Sequence, residues 1–338
     1  MAGLYARWID RWETRLATRD TNRVVRPFEW GLEWLDAAQP AGDPRRAVLE
    51  LARRAVAQSD EFFSAPPRED YRLEGAHLTF SSALPTPYPE NNTVHADFFP
   101  AGGGRGRAVV VLPQWNSDAG GHAGLCRLLS RLGITALRMS LAYHDRRMPG
   151  ELERADYHVS SNIGRTIHAV RQSVVDARGC LQWLEARGYR RLGVLGTSLG
   201  SCVAFITAAH DLRERAGVFN HVSAYFSDVV WTGLSTRHIR QGMSGSITQE
   251  ELREAWRVIS PASYAGRLKG RDLRSLLIWA RYDTTFLPAY SKQVIEAFRK
   301  ERLPYRELRL PCAHYTTGCF PFNVIDGFSM CGFLVREL

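Results

Sequence analysis

The sequence predicts a doubly wound α/β fold with a mostly parallel sheet, on three observations. Residues 108–112 form an unbroken apolar run, as a strand needs when helices cover both of its faces. Residues 162–188 repeat apolar side chains at helical spacing over their whole length. Strand-like and helix-like segments then alternate to the end of the chain, which predicts parallel pairing with right-handed crossovers.

The N-terminal part of the chain is predicted to be helical. Leu4, Trp8 and Trp12 recur at the spacing of one helix face, and a second helical pattern covers residues 44–63. Acidic residues interrupt the first apolar stripe, which favours packing against the rest of the protein over lying on a membrane surface. We therefore expect an N-terminal helical extension over residues 1–66.

The main domain is expected to cover residues 67–338. Its strands are predicted at residues 72–82, 93–99, 108–112, 134–139, 192–195, 221–226, 276–280 and 305–310. Its helices are predicted before Gly133, at residues 162–188, 201–209 and 288–299, and at the C-terminus.

Residues 231–271 interrupt this alternation and are predicted to form a helical cap. Thr248 and Glu251 match a capping box, so a helix is expected to begin there. Leu252, Trp256 and Ile259 would share one apolar face of that helix. We expect this face to cover the functional site, with Trp256 as a candidate substrate contact.

Composition narrows the class of protein. Of the 338 residues, 45% are apolar and 23% charged, which is typical of a folded chain and not of a disordered one. The net charge of +9 comes from scattered arginines without a basic run, so we expect no nucleic-acid partner.

The six cysteines form no C-x-x-C pair, which argues against zinc and for a reducing, cytoplasmic setting. We expect no signal peptide and no transmembrane segment, and the oligomeric state stays open.

The strongest chemical signal is the sequence GTSLG at residues 196–200. It lies between a predicted buried strand and a helix of small residues, which is the context of a nucleophile elbow. Glycines two positions on either side of Ser198 allow the strand and the helix to approach without a steric clash. We therefore predict Ser198 as a nucleophile at the N-terminus of a helix, where developing negative charge is stabilised.

A serine nucleophile needs a base and a carboxylate that orients it. Asp283 and His314 each follow a predicted strand, so both are expected at the same edge of the sheet as Ser198. Taken singly, Asp283 is also compatible with capping the next helix and His314 with a surface loop. Asp228 is the alternative acid, and we favour Asp283 because its loop begins directly after an apolar strand.

The oxyanion of an acyl-transfer intermediate needs backbone N–H donors. The Leu199 amide, directly after the nucleophile, is the first candidate. The second is expected in the loop after residue 112, where we favour the Trp115 amide and keep Gln114 as the alternative.

On this motif and these side chains, the chain resembles the α/β-hydrolase superfamily over about residues 70–338. The similarity to esterase-like members, such as the dienelactone hydrolase and acetyl xylan esterase groups, is general. Leu-Pro at 287–288 stands where the family usually has Val-Pro, and Pro-Gln-Trp at 113–115 stands where it commonly has His-Gly-x. The resemblance implies hydrolysis through an acyl-enzyme and does not identify the acyl group.

Arg146 and Arg147 are weaker candidates for a substrate site. They follow the predicted strand at 134–139 and could hold a substrate carboxylate, although pairing with Asp145 or Glu151 is the simpler interpretation. No histidine spacing matches a metal site and no glycine loop matches a nucleotide site, so we expect neither a metal nor a cofactor.

Three functions fit these predictions. The first is a serine hydrolase that cleaves a small-molecule acyl ester through Ser198, His314 and Asp283. The second uses the same side chains to transfer the acyl group to an alcohol or an amine. The third is a catalytically silent binding protein on a hydrolase scaffold, because fold does not determine function.

Overall fold

The computed structural model describes residues 2–35, 42–103 and 106–338, and its centre is a nine-stranded sheet. The strand order is β1-β2-β3-β5-β4-β6-β7-β8-β9. The three strands that come first in the chain pair antiparallel, β3 joins β5 antiparallel, and the pairs from β5 to β9 are parallel. The strands are β1 (Arg72–Glu74), β2 (His77–Ser81), β3 (Thr93–Phe99), β4 (Arg107–Leu112), β5 (Thr135–Met139), β6 (Arg191–Thr197), β7 (Glu214–Asn220), β8 (Arg274–Ala280) and β9 (Tyr305–Leu310).

Eleven α-helices within the described residues complete the fold. The longest, α5, is capped at its N-terminus by the Asn162 side chain, which accepts the N–H of Arg165. The helices are α1 (Ala2–Ala17), α2 (Pro44–Ala57), α3 (Ser59–Phe62), α4 (Ala123–Arg131), α5 (Ile163–Ala186), α6 (Leu199–His210), α7 (Phe226–Thr232), α8 (Arg237–Met243), α9 (Gln249–Ala255), α10 (Pro288–Glu301) and α11 (Phe322–Glu337).

Hydrophobic clusters on the two faces of the sheet explain the unbroken apolar run in β4. Val110 contributes to the larger cluster, which contains residues of α2, α5, α6 and α10. Val109 and Val111 contribute to the other, which contains residues of α1, α4 and α11. Because successive side chains of a strand point to opposite faces, a strand covered by helices on both sides is apolar throughout. The doubly wound fold class predicted from the sequence is confirmed.

The helical insertion does not stand apart from this core. Its helix α9 begins with the capping box that the sequence predicts, formed by Thr248 and Glu251. Leu252, Trp256 and Ile259 are buried in the larger cluster. The insertion also packs against the N-terminal helix α2, and two ion pairs join them: Arg45 with Glu251 and Arg53 with Glu254. Only Leu252 lies in α9, because the helix ends at Ala255 and Ile259 belongs to a short 3₁₀ turn, so the expectation of one helix with all three side chains on its face is wrong. The three side chains stabilise the core.

One predicted strand is misplaced. The expectation of a strand at residues 221–226 is wrong, because β7 covers Glu214–Asn220 and Phe226 already begins α7. Val222 and Tyr225 are residues that favour strands, but they lie in the loop that follows β7. This shift places His221, instead of a residue near Asp228, at the carboxyl end of β7.

Two further findings concern membrane-spanning helices and the cysteines. No helix in the described ranges is both long enough and apolar enough to cross a membrane. All six cysteines lie within those ranges and are free thiols.

The glycines around Ser198 provide a test of the fold. A methyl group on Gly200 would overlap the carbonyl oxygens of Leu112 and Pro113, which are backbone atoms and cannot rotate away. We predict that Gly200→Ala lowers the free energy of unfolding by about 1–3 kcal/mol or prevents folding, as overpacking does. Denaturant unfolding followed by circular dichroism measures the change.

Gly266→Ala is the matched control, because a methyl group there has no neighbour within 4 Å. It should leave the stability unchanged or raise it slightly by restricting the unfolded chain. Equal stability of the two variants would contradict the close approach at Gly200.

Candidate active site

Four polar side chains meet at the carboxyl edge of the parallel strands. Ser198 follows β6, His221 follows β7, Asp283 follows β8 and His314 follows β9. In an open α/β sheet this edge is where functional loops converge. Residues that are far apart in the sequence are therefore neighbours because their strands are parallel and adjacent.

Ser198 lies on the strained turn that the motif predicts. Its backbone φ is 56°, in the region that non-glycine residues rarely adopt, and its N–H donates to the carbonyl of Asn220 at 2.8 Å. Ser198 directly precedes α6, and its Oγ lies 2.9 Å from Nε2 of His314. The turn thus holds the hydroxyl within hydrogen-bond distance of an imidazole.

The His314 ring is fixed on its other side by Asp283. Its Nδ1 lies 2.9 Å from Oδ2 of Asp283, and its ring stacks on Phe286 with centroids 5.2 Å apart. The second carboxylate oxygen, Oδ1, accepts the N–H groups of Thr285 and Phe286 at 2.8 and 2.7 Å. These contacts orient the carboxylate toward the histidine and the histidine toward Ser198.

The environment shifts the pKa values of both groups in the direction that favours an ion pair. Burial lowers the pKa of His314, but the charge and hydrogen bond of Asp283, with a contribution from Glu13, outweigh burial and raise it. Burial raises the pKa of Asp283, but interactions with His314 and His221 outweigh it and lower the pKa well below its ordinary value. The carboxylate stays ionised and stabilises a positive charge on His314.

A second imidazole binds the same carboxylate oxygen. His221 Nδ1 lies 2.9 Å from Oδ2 of Asp283, and the His221 and His314 rings meet edge to face with centroids 4.8 Å apart. An ionised carboxylate only accepts hydrogen bonds, so both Nδ1 atoms carry a proton. The sequence analysis did not identify His221, because the misplaced strand put it inside an element and not at a strand end.

The N-terminal helix α1 contributes a buried carboxylate to this site. Glu13 accepts the N–H of Tyr315 at 3.0 Å and that of Thr316 at 3.1 Å, directly after the histidine. The Thr284 hydroxyl, in the loop of Asp283, donates to the same carboxylate at 3.4 Å. Burial raises the pKa of Glu13. Glu13 therefore links the loops that bear the acid and the base, and no sequence motif indicated this role.

The serine faces a cavity of about 690 Å³, which is in the range of small-molecule sites. All three residues predicted for the oxyanion site, Leu199, Trp115 and Gln114, line it. Asn116 fixes their loop, since its side-chain oxygen accepts the N–H of Ala155 at 2.8 Å. Other lining residues come from the N-terminal segment, α7, the start of the insertion and α11: Arg19, Asp20, Phe226, Val229, Val230, Ser235, Thr236, Asn323, Asp326, Gly327 and Met330.

The predicted arginine contacts lie elsewhere, and these expectations are corrected by the structure. Arg146 binds Asp97 at 2.9 Å, and Arg147 is fully buried in an ion pair with Asp176 at 2.9 Å. Neither arginine lines the cavity. The buried ion pair makes Arg147 unavailable to a substrate carboxylate, and the partly exposed Arg146 is paired with Asp97 away from the cavity.

Trp256 is also absent from the lining of the cavity. Its side chain is fully buried, and the indole N–H donates to the carbonyl of Ile163 at 3.2 Å, so it connects the insertion to α5. The rival acid Asp228 is buried too, and Arg253 binds both of its carboxylate oxygens, at 3.1 and 2.5 Å. Asp228 lies in an ion pair and not against a histidine.

His221, Asp283 and His314 have donor atoms within 4.8 Å of one another, the spacing that a metal ion needs. Their geometry is different from that of a metal site, because both Nδ1 atoms point at one carboxylate oxygen and donate protons to it. A metal needs those nitrogens as lone-pair donors. Hydrogen bonding within the protein accounts for the cluster.

Comparisons with known proteins identify the fold. No family model and no curated protein sequence matches the chain. Acetyl xylan esterase 1 from Thermoanaerobacterium sp. superposes with a TM-score of 0.61 at 16% identity, over 92% of this chain and 99% of that one. An acylaminoacyl peptidase from Pyrococcus horikoshii gives 0.62 at 14% identity over 80% of this chain, which spans only 42% of the peptidase. An esterase from Pyrococcus furiosus gives 0.52 at 16% identity, over 81% and 99%. The chain has the α/β-hydrolase fold.

The buried carboxylate of α1 leads to a prediction about stability. Glu13→Gln removes the negative charge and leaves one acceptor oxygen for the N–H groups of Tyr315 and Thr316. Because hydrogen bonds to a charged acceptor are stronger than those to a neutral one, we expect the free energy of unfolding to fall by about 1 kcal/mol. Urea denaturation of the purified variant measures it.

Asp10→Asn makes the same kind of change on the exposed side of α1 and serves as the control. Its unfolding curve should superpose on that of the unmodified protein. If Glu13→Gln behaved like Asp10→Asn, the carboxylate would not be what holds the His314 loop.

Proposed function

We propose that the protein is a serine hydrolase that cleaves a carboxylic ester through an acyl-enzyme. The observation that carries this proposal is the continuous hydrogen-bonded series from Ser198 through His314 to Asp283, with 2.9 Å at each link, at the wall of a cavity. A nucleophile, a base and an orienting acid in this geometry perform acyl transfer on several unrelated folds.

In the first half of the reaction, His314 Nε2 takes the proton of the Ser198 hydroxyl as Oγ attacks the carbonyl carbon of the ester. The carbonyl oxygen becomes an oxyanion, and the imidazolium then gives its proton to the leaving alcohol as the carbon–oxygen bond breaks. Asp283 keeps the Nδ1 proton in place and stabilises the positive ring. The products of this half are an acyl-serine and an alcohol.

The oxyanion needs donors that point into the cavity beside Ser198. The Leu199 N–H belongs to the first residue of α6, where helix amides have no partner within the helix. The loop at residues 113–117 supplies the second, from Trp115 or Gln114, and Trp115 is favoured. In the second half of the reaction, His314 activates water, which attacks the acyl-serine and releases the acid.

The cavity supports a small-molecule ester as the substrate. Its volume of about 690 Å³ fits a molecule of drug size or smaller, and Val229, Val230 and Phe226 provide apolar surface. Of the three proteins compared above, two are named as esterases and one as a peptidase. The choice between ester and amide is therefore part of the test.

Removing the nucleophile is the direct experiment. Ser198→Ala should stay folded and lose about a millionfold in turnover, because the members of such a triad act as a unit. The assay measures release of nitrophenol from nitrophenyl esters of increasing chain length, with the matching anilides as amide substrates. A fluorophosphonate should label the unmodified protein at Ser198 and leave Ser198→Ala unlabelled. Substantial hydrolysis by Ser198→Ala would rule out the mechanism.

The acid is tested with a pair of identical substitutions. Asp283→Asn should lower the turnover about ten-thousandfold, because an amide N–H₂ group beside Nδ1 holds His314 in the wrong tautomer. Asp228→Asn, which changes the partner of Arg253, Gln249 and Ser227 and no contact of His314, should keep most of the activity. Circular dichroism establishes that both variants are folded, and the reverse pattern of activity would assign the acid to Asp228.

The pH profile gives a second readout for Asp283. Only the unprotonated His314 accepts the serine proton, so kcat/KM should rise with pH through the pKa of His314. Asp283 raises that pKa above its ordinary value of 6.5, and removing the carboxylate lowers it. The acid limb of the residual activity in Asp283→Asn should therefore move to lower pH. If the acid limb of kcat/KM did not move, Asp283 would not be the group that raises the pKa of His314.

A further inference from the structure

Exposed apolar side chains are concentrated on one side of the molecule. Of the twelve large apolar side chains that are exposed within the described ranges, nine lie in or directly beside α1, α4 and α11. Five of them belong to α11 or to the two residues before it: Phe320, Val324, Ile325, Phe328 and Val335. Single exposed apolar residues are normal on any protein, whereas an extended apolar surface indicates that something binds there.

The contacts of α11 with α4 and α1 join these side chains into one surface. The buried Arg107 guanidinium donates to the carbonyls of Leu132, directly after α4, and Val335, at 3.4 Å each. The ends of α4 and α11 therefore adjoin. At the beginning of α11, the Phe322 ring lies 6.4 Å from the ring of Trp12 in α1. Helix α11 thus adjoins α4 at one end and α1 at the other.

Helix α1 packs against the protein with one face and leaves the other face exposed. Ile9 and Glu13, one turn apart, are fully buried. Leu4 and Trp8, also one turn apart, are exposed, and the Trp8 ring lies 5.2 Å from that of Trp12, which contacts α11. The packing that the sequence predicted for this helix therefore leaves Leu4 and Trp8 free to contact a partner.

The same three helices carry a positive charge that no carboxylate neutralises. Six of their exposed arginines form no ion pair within the described residues: Arg7, Arg11, Arg15, Arg127, Arg131 and Arg336. Against these six positive charges, the described parts of the three helices have one exposed carboxylate, that of Asp10. We call the exposed apolar residues and arginines of α1, α4 and α11 the α1–α4–α11 face.

We propose that the α1–α4–α11 face binds the surface of a lipid layer that contains anionic headgroups. The apolar side chains enter the layer and the arginines bind the headgroups, as in amphipathic helices that lie on membranes. A second copy of the chain is a poorer partner, because a two-fold dimer brings the same surface of each copy together and would gather the arginines of both at one interface. An anionic lipid surface complements both the apolar residues and the charge.

The cavity of Ser198 opens at the edge of this face. Cavity-lining residues that are also exposed mark the opening, and three of them are Gly124 in α4, Gly318 before α11 and Asn323 in the first turn of α11. The exposed Phe320 lies between the last two in the sequence. A docked molecule therefore takes a lipophilic ester directly from the lipid layer. This consequence rests on the proposed ester hydrolysis, and the docking itself does not.

Sedimentation with vesicles tests the docking without any turnover. The full chain is mixed with vesicles of phosphatidylcholine alone, or of equal parts phosphatidylcholine and phosphatidylserine, at low and at physiological salt. We expect the affinity for the mixed vesicles to be about tenfold higher or more, and to fall as salt screens the arginines. No binding to either vesicle, or equal binding to both, would overturn the proposal.

Paired arginine substitutions test whether this face is the one that binds. Arg127→Gln with Arg131→Gln should lower the affinity for the mixed vesicles about tenfold or more. Arg54→Gln with Arg302→Gln is the matched control, because both arginines are exposed and have no ion pair within the described residues. They lie in α2 and directly after α10, which pack on the other side of the sheet. An equal loss in both variants would assign the binding to net charge alone and overturn the proposal.

Trp8→Gln with Phe328→Gln tests the apolar part of the face. The affinity for the mixed vesicles should fall about tenfold, because two large side chains no longer enter the lipid. Leu212→Gln is the control, since Leu212 is exposed in the loop between α6 and β7. Unchanged affinity in the double variant would overturn the proposal. A dimer in analytical ultracentrifugation that the double variant dissociates would also overturn it, because a second copy would then cover the face.

Hydrolysis distinguishes the docking from the proposed function. Trp8→Gln with Phe328→Gln should hydrolyse nitrophenyl laurate in the mixed vesicles about tenfold more slowly than the unmodified protein does. It should hydrolyse nitrophenyl acetate in solution at the unchanged rate, because neither residue lines the cavity. A loss on both esters, or on neither, would overturn the delivery of substrate from lipid. If the unmodified protein hydrolysed no ester, the proposed function would fail, and vesicle binding would still decide the docking.

Discussion

The rest of the site depends on the hydrogen bonds that the Asp283 carboxylate accepts. This carboxylate is buried, and burying a charge is costly unless other groups bind it. Two imidazole Nδ1–H groups and two backbone N–H groups bind it, from residues 221, 314, 285 and 286. Because these donors come from different loops, one buried charge fixes the orientation of both histidines.

The N-terminal helix and the insertion are parts of this arrangement and not additions to a finished domain. Glu13 of α1 holds the loop after His314, and Arg19 and Asp20 line the cavity. The insertion contributes cavity residues only at its beginning, while α9 packs into the core and against α2. Both segments are thus walls of the site, and each is anchored by burial of its apolar face.

The sequence by itself determined the sheet, because an unbroken apolar run and helical periodicity indicate which side chains are buried. It also determined which strand ends carry Ser198, Asp283 and His314. It did not locate His221, because the strand expected at residues 221–226 covered the loop that follows β7. It did not assign the partners of Arg147, Trp256 or Glu13, which are residues of distant segments. Periodicity indicates that a side chain is buried but not what it is buried against. Only the tertiary structure decided that Asp283 serves two histidines and that the N-terminal helix belongs to the site.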